Sequence, residues 1–214
     1  MLHLSQHAEA DKLLSESPLA LLIGLVLDQQ IPLEKAFRSP LDLKERLGGR
    51  LDVGEIAAMD PDVLAKVFSI VPALHRFPAS MAARTQELCR VIENDYQGDA
   101  AQVWSKASSG RELLANLKGL PGFGDQKARI FVAFLGKQLG VGPRGWKAVS
   151  EPFGQTGTYR SIADIDGPEA LLRVRAYKTR MKAKAKATAT ATADTRTKAN
   201  ATADTKAETR ARVT

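Results

Sequence analysis

The segment PLALLIGLVLDQQ, at residues 18–30, constrains the fold more than any other part of the chain. It is apolar on almost every side, so a helix formed from it must be buried all round rather than on one face. Pro18 suits the first position of such a helix, because the N–H that proline lacks would have no partner there. The sequence therefore predicts a buried central helix, which needs other helices packed around it.

Further helical segments follow in short succession and carry start and stop signals of helices, such as Ser39-Pro40, Asp60-Pro61 and the glycines that end at 49. Alternating strand patterns are scarce, and residues 143–162 show no clear pattern. We therefore predict one compact all-α domain over residues 1–181. The predicted helices lie at 39–49, 60–70, 78–96, 108–119 and 167–186.

The net charge of +7 is distributed unevenly along the 214 residues. Residues 182–214 contain eight Lys or Arg against three Asp or Glu, a local net charge of +5, and their only large apolar side chain is Val213. Such a segment cannot bury enough surface to offset its ordering entropy, so we predict a disordered basic tail. The tail is interpreted either as a solubilising extension or as a tether that raises the local concentration of DNA.

Cysteine count and hydropathy limit the function classes further. The single cysteine, Cys89, excludes an internal disulfide and an iron–sulfur cluster held by four cysteines, and it is expected to be buried. No apolar run is long enough to cross a membrane, and the N-terminus carries acids where a signal peptide needs basic residues. The three histidines lack metal-binding spacing, so no metal held by side chains is expected. The sequence predicts a soluble cytoplasmic protein.

The segment LKGLPGFGDQKA, residues 117–128, concentrates glycine and proline directly before a helix. Gly122 and Gly124 permit positive φ angles and the close approach of another molecule. The helix that starts at Asp125 offers unpaired amides and the positive end of a helix dipole, which can bind a phosphate. An ordinary corner between two helices with glycine turns is an equal interpretation of this spacing.

Two motifs in this order resemble one protein family. LPGFG at 120–124, followed two residues later by Lys127 and Ala128, resembles the helix-hairpin-helix motif of the HhH-GPD superfamily of base-excision DNA glycosylases. LDQQI at 27–31, about ninety residues upstream, resembles the QQ signature of that superfamily. The resemblance covers roughly residues 15–155 and implies an all-α glycosylase-like domain.

The resemblance implies roles for individual residues. Main-chain amides around Gly122, Gly124 and Gln126 would hold the DNA backbone, with Lys127 as a further DNA contact. Gln29 or Gln30 would enter the duplex and fill the space left by an extruded base, although a Gln pair at a helix end is also common as a polar cap. A structural monovalent cation, K⁺ or Na⁺, would be held by the carbonyls of Lys118, Leu120 and Phe123.

The sequence also departs from the family pattern. Members that cut abasic sites carry a lysine where this chain has Gln126, so lyase activity is not expected. The family's catalytic aspartate should lie within 141–149, yet no carboxylate occurs between Asp125 and Glu151. The expected substitutes are Glu151 and Asp166, with Asp164 as another acid in the same region; turn and cap roles are the alternative for these acids.

Two further residues lie where the missing aspartate is expected. Arg144 suits binding of an anionic backbone more than stabilisation of a cationic sugar. Trp146 is a candidate for stacking on a flipped base, or else an anchor in the core or at its rim.

Three functions remain open at this point. The first is a monofunctional DNA N-glycosylase with a relocated acid, acting in base-excision repair. The second is a non-catalytic protein that binds DNA lesions or structures, and the third is a helical domain that binds nucleotides or proteins. For the first two we expect a monomer, associated with the nucleoid, that binds damaged double-stranded DNA.

Overall fold

The computed structural model describes residues 1–188, and the part of the chain that it describes is mostly helical. This confirms the all-α prediction for that part. No strand occurs in residues 1–188, where Ser109 and Arg144 form an isolated β-bridge. The α-helices up to residue 149 are α1 Ala8–Glu16, α2 Pro18–Leu27, α3 Leu33–Arg46, α4 Val53–Ala58, α5 Pro61–Ser69, α6 Pro78–Tyr96, α7 Gln102–Ser105, α8 Gly110–Gly119, α9 Asp125–Gln138 and α10 Trp146–Val149.

Helix α2 lies at the centre of the core, as its composition predicts. Every residue from Leu19 to Leu27 is buried, and the Ser17 hydroxyl caps the helix by accepting a hydrogen bond from the amide of Ala20. Helix α3 crosses it closely at Gly24, where a β-carbon would lie 2.8 Å from Cδ1 of Phe37. The small residue therefore lets the two helix axes approach each other.

Helix α9 is the second helix with a long buried segment, and it places the predicted hairpin against the core. Its residues 131–135 are all buried. The Phe131 ring stacks on Phe134 and meets Trp104 edge-on, each at 5.8 Å between centroids. These contacts fix α9 from its middle, while its first residues, Asp125 and Gln126, are exposed.

The start predicted for the second helix is wrong. Helix α3 begins at Leu33 and continues through Ser39 and Pro40. The Ser39 hydroxyl does not cap a helix start; it donates to the carbonyls of Lys35 and Leu74 at 2.7 and 2.9 Å. Burial of Ala36, Phe37, Ser39 and Pro40 outweighs the loss of the N–H that proline lacks.

The chain divides into one compact unit at Met1–Val174 and another that begins at Arg175, earlier than the predicted boundary after residue 181. Residues 168–188 are helical, which agrees with the helix predicted at 167–186 and overlaps the start of the tail predicted to be disordered at 182–188. The rest of the predicted tail, from residue 189 onward, lies outside the described residues. Cys89 is fully buried, as expected, and burial together with Asp52 and Glu93 raises the pKa of its thiol to about 12.

Candidate nucleic-acid interface

Helices α8 and α9 form a helical hairpin joined by residues 120–124. The side chains of Leu120 and Phe123 are buried, and the amide of Phe123 donates to the carbonyl of Leu120 at 3.1 Å. No side chain caps α9, and Gly124 before it is exposed. The turn is therefore anchored from inside while the first amides of α9 face outward.

The two glycines of this turn differ in whether the fold requires glycine at their position. Gly122 has a φ of +83°, and a β-carbon there would lie 2.9 Å from Cδ of Arg84. Gly124 has a φ of −73°, and a β-carbon would meet no atom within 4 Å. The fold thus requires glycine at 122 but places no such demand on position 124.

The end of α2 is closed by hydrogen bonds to its last four carbonyls. The amides of Asp28 and Gln29 donate to Gly24 and Leu27 at 2.9 and 2.7 Å. The side-chain amide of Gln29 donates to Val26 at 2.7 Å, and the ammonium of Lys127 donates to Leu25. Because helix-end carbonyls need partners, Gln29 and Lys127 both stabilise this end of α2.

The two glutamines therefore differ in their surroundings. Gln29 is half-buried and fixed as a helix cap, whereas Gln30 is exposed and has a φ of +57°. The carbonyl of Gln29 accepts a hydrogen bond from Nε2 of His75 at 2.8 Å. The His75 Nδ1 accepts from the amide of Phe77, so the proton lies on Nε2.

The turn at residues 29–31, which we name the glutamine turn, lies beside the loop at 70–77 that holds His75. This loop exposes apolar side chains. Val71 is 88% exposed, and Ile70 and Phe77 are about half exposed. The guanidinium of Arg76 lies 4.7 Å from the centre of the Phe77 ring. These apolar side chains and Arg76 make the loop a candidate contact surface.

Arg84 of α6 joins the glutamine turn to the hairpin. Its guanidinium donates to Oε1 of Gln29 at 3.1 Å, and its side chain packs against Gly122. Two segments that lie about ninety residues apart in the sequence therefore meet at one side chain. Sequence analysis missed Arg84 because nothing in the pattern of α6 distinguishes it from other polar positions.

A cleft of about 460 Å³ opens between these segments. Asp28 and Lys127 line it together with the exposed Gln126. Burial lowers the pKa of Lys127, Asp28 opposes that shift, and Arg84 adds to it. The other lining residues are Leu25, Gly124, Asp125, Ile130 and Ile162.

Asp125 connects the two helices of the hairpin. Its carboxylate pairs with Arg129 at 2.7 Å and with Lys118 of α8 at 3.0 Å. Hydrogen bonds from Arg129 and Lys118 lower the pKa of this carboxylate. The acid at the start of α9 is therefore offset by two cations, an arrangement that sequence analysis did not identify.

Of the predicted DNA contacts, Gly124, Gln126 and Lys127 line the cleft. The others are not among its lining residues: Gln29, Gln30, Gly122, Arg144 and Trp146. Arg144 lies at the opposite end of α8, where its carbonyl accepts from the amide of Gly110 at 2.9 Å. The Trp146 ring packs on Gly136, where a β-carbon would lie 2.7 Å from three ring carbons. Helix geometry puts these positions about 14 and 18 Å from the turn, so Trp146 is an anchor at the rim of the core.

The acids proposed as substitutes line other cavities. Glu151 faces a cavity of about 410 Å³ with Lys147 and Gln155, and Asp166 lies at a separate one with Lys137. Asp164 is 4% exposed, pairs with Lys137 at 2.6 Å and accepts from the amides of Arg160 and Ser161. Asp164 therefore has a structural role, because its buried carboxylate holds the backbone at residues 160–161 and Lys137.

The carbonyls predicted to hold a cation belong to the turn region. Leu120 already accepts from Phe123, Lys118 lies in the last turn of α8, and Phe123 lies just before α9. A bound monovalent cation remains a prediction. Within residues 1–188, no group of three or more His, Cys, Asp or Glu side chains could hold a metal ion.

Over the described range 1–188, no helix combines the length and apolarity needed to span a membrane. A scan against models of protein families finds no match to this chain, and a search of curated proteins finds none either.

Proposed function

We propose that this protein binds damaged duplex DNA in base-excision repair, with the chemistry of a monofunctional DNA N-glycosylase. One observation carries the proposal: Arg84 contacts both Gln29 and Gly122, so the glutamine turn and the hairpin lie side by side, next to the cleft lined by Asp28 and Lys127. A protein that extrudes a base needs a backbone grip and an inserted side chain close together.

The hairpin supplies the backbone grip. Uncapped amides at the start of α9 and the dipole of that helix attract a phosphate. The open space at Gly124 lets a sugar–phosphate strand approach the main chain. Such contacts carry no sequence information, which suits a protein that must bind DNA of any sequence.

The glutamine turn supplies the insertion. Gln30 is the better of the two predicted residues, because Gln29 is occupied as a helix cap whereas Gln30 is exposed. Ile70 and Val71 lie in the loop that contacts Gln29, and apolar side chains of this kind separate stacked bases in other DNA-bending proteins.

Asp28 is the best candidate for the relocated acid. It is half-buried at the cleft next to the glutamine turn, whereas Glu151 and Asp166 line other cavities. A carboxylate there would stabilise the positive charge that develops on the sugar as the base leaves, and would orient water. Lys127 donates to Leu25, and Gln126 has no amine that could form a Schiff base, which agrees with hydrolysis without strand cleavage.

The backbone grip is tested with Gly124→Asp and its matched control Gly124→Ala. A β-carbon at position 124 meets no atom of the protein within 4 Å, and its φ of −73° suits any residue, so both variants should fold. In an anisotropy titration with a fluorescein-labelled duplex, Gly124→Asp should weaken binding at least about tenfold, equal to about 1.4 kcal/mol, and Gly124→Ala much less. Equal affinities for Gly124→Asp and the unchanged protein would favour the third function, a nucleotide- or protein-binding domain.

The chemistry is tested with duplexes that carry different damaged bases. The unchanged protein should produce alkali-labile sites in at least one duplex. Asp28→Asn should abolish them, while Glu151→Gln and Asp166→Asn should retain them. Loss of activity in Glu151→Gln or Asp166→Asn alone would move the acid to that residue.

A non-catalytic DNA-binding protein is the second candidate. It is favoured by the lack of any carboxylate between Asp125 and Glu151, where the related enzymes carry their acid. Binding of a damaged duplex without base release from any substrate would establish this alternative.

A further inference from the structure

The strongest concentration of positive charge in the described chain lies on the helix at residues 175–188, away from the residues of the cleft in the sequence. No Asp or Glu occurs from 170 to 193, a run of 24 residues. Residues 175–188 contain six Lys or Arg, all of them exposed. Residues 189–214, by contrast, contain five basic and three acidic residues.

Four of these six basic residues share one side of the helix. Arg175, Lys178, Lys182 and Lys186 follow the spacing i, i+3, i+7, i+11, which keeps them within an arc of about 80° over a length of about 16 Å. We name these four residues the basic stripe. Arg180 and Lys184 lie on the opposite side, and the guanidinium of Arg180 lies 5.7 Å from the centre of the Tyr177 ring.

We propose that the basic stripe is a second nucleic-acid-binding surface that contacts consecutive phosphates of a DNA strand. A row of exposed cations is complementary to a phosphate backbone, because DNA carries one negative charge per about 1.7 Å of helix axis and so offers phosphates along the whole length of about 16 Å. Three of the four residues are lysines, which act as point charges and do not require one base sequence.

The composition of this helix favours nucleic acid over a membrane surface. A helix that lies in a membrane interface needs a broad apolar face. Residues 175–188 have only Tyr177 and Met181 as large apolar side chains, and Met181 is 43% exposed. Because the helix has no broad apolar face, only charge attraction would hold it at a membrane of anionic lipid.

The test compares the salt dependence of DNA binding for matched variants of the full chain. The stripe variant is Arg175→Gln, Lys178→Gln, Lys182→Gln and Lys186→Gln, and the control is Arg180→Gln with Lys184→Gln. Glutamine has nearly the helix propensity of lysine and arginine, so both variants should keep the helix. Circular dichroism confirms this before binding is measured by anisotropy with a short labelled duplex.

The slope of log Kobs against log salt concentration should become less steep by about 3 to 4 in the stripe variant, since each neutralised phosphate contributes about 0.9. The control should change the slope by less than about 1. An unchanged slope in the stripe variant would overturn the proposal. A loss of about 2 in the control would also overturn it, because diffuse charge rather than one row of cations would then account for binding.

This surface is independent of the hairpin, and the same titration separates the two proposals. The stripe substitutions should change the slope by the same amount in a protein that also carries Gly124→Asp as in one that does not. If Gly124→Asp has no effect while the stripe shifts the slope, the hairpin proposal fails and the stripe proposal holds. Tighter binding to phosphatidylserine vesicles than to the duplex would overturn the stripe proposal in favour of a membrane partner.

Discussion

Gly122 and Gly124 are separated by one residue, yet only one of them is demanded by the fold. At Gly122 the positive φ and the Arg84 side chain both exclude a larger residue. At Gly124 neither reason applies. The sequence motif presents the two glycines as equivalent, and the structure separates a residue needed for folding from one that leaves room for a partner.

Gly122→Ala should lower the free energy of unfolding by about 1 to 2 kcal/mol, the cost of a left-handed backbone at a residue with a β-carbon. The close contact with Arg84 adds to this cost unless that side chain moves. Gly119→Ala is the control, because a β-carbon there meets nothing within 4 Å. Urea denaturation measures both variants, and equal stability of Gly122→Ala and the unchanged protein would contradict the prediction.

Lys127 should make stability depend on pH in the alkaline range. Its pKa in the folded protein is lowered by burial, below the ordinary value of 10.5 that it regains on unfolding. Between these two values the unfolded chain binds more protons than the folded one, so the contribution of this residue to stability rises with pH. The unfolding free energy of the unchanged protein, measured by urea denaturation relative to that of Lys127→Met, should therefore rise as the pH is raised toward 10.5.

At the scale of elements, the end of α2 shows that the two residues of one sequence motif can have different structural roles. Gln29 holds the carbonyl of Val26 and the guanidinium of Arg84, while Gln30 takes the left-handed conformation that starts the turn. Substitutions of the two adjacent glutamines should therefore have different effects on the stability of the protein.

Gln29→Ala should destabilise the protein by about 1 to 2 kcal/mol, because the three hydrogen bonds of its side chain, with Val26, Met81 and Arg84, are lost. Gln30→Gly should leave stability unchanged or raise it by up to about 1 kcal/mol, since glycine accepts a positive φ without strain. Thermal denaturation of the two variants distinguishes these effects. Equal destabilisation by both would mean that the turn acts as one unit.

Most helices could be predicted from local signals, whereas their mutual contacts could not. Asp60 and Ser109 cap α5 and α8, and Pro18 opens α2, so these helices begin close to the predicted positions. The predicted start at Ser39 failed because a buried contact with the Leu74 carbonyl overrides the capping preference of serine. The role of Arg84 depends on packing between α6, the glutamine turn and the hairpin, for which the sequence carries no local signal.

At the scale of the whole molecule, the buried core belongs to the unit at Met1–Val174. Its largest fully buried side chains include Phe37, Phe68, Phe131 and Phe134. The residues proposed for the cleft all lie within this unit. The acids Glu151 and Asp166 were grouped with them only by sequence order, and chain folding puts them at other cavities.

Removal of residues 189–214 should leave the melting temperature within about 1 °C, because the buried side chains described above lie before residue 175. The same removal should change the slope of log Kobs against log salt concentration by no more than about 2, since this segment has a net charge of only +2. Differential scanning calorimetry and the anisotropy titration check the two outcomes. A melting temperature several degrees lower would assign a stabilising role to these residues.

The hairpin is fastened at both of its ends. Near the turn the Asp125 carboxylate holds Lys118, and at the base the Gly110 amide holds the Arg144 carbonyl. A partner that docks there meets a shape that is already set, so little ordering of the protein is needed on association. If the hairpin holds a DNA strand as proposed above, the strand rather than the protein would have to bend, and a duplex weakened by a lesion would be selected because it bends more easily, not through its bases.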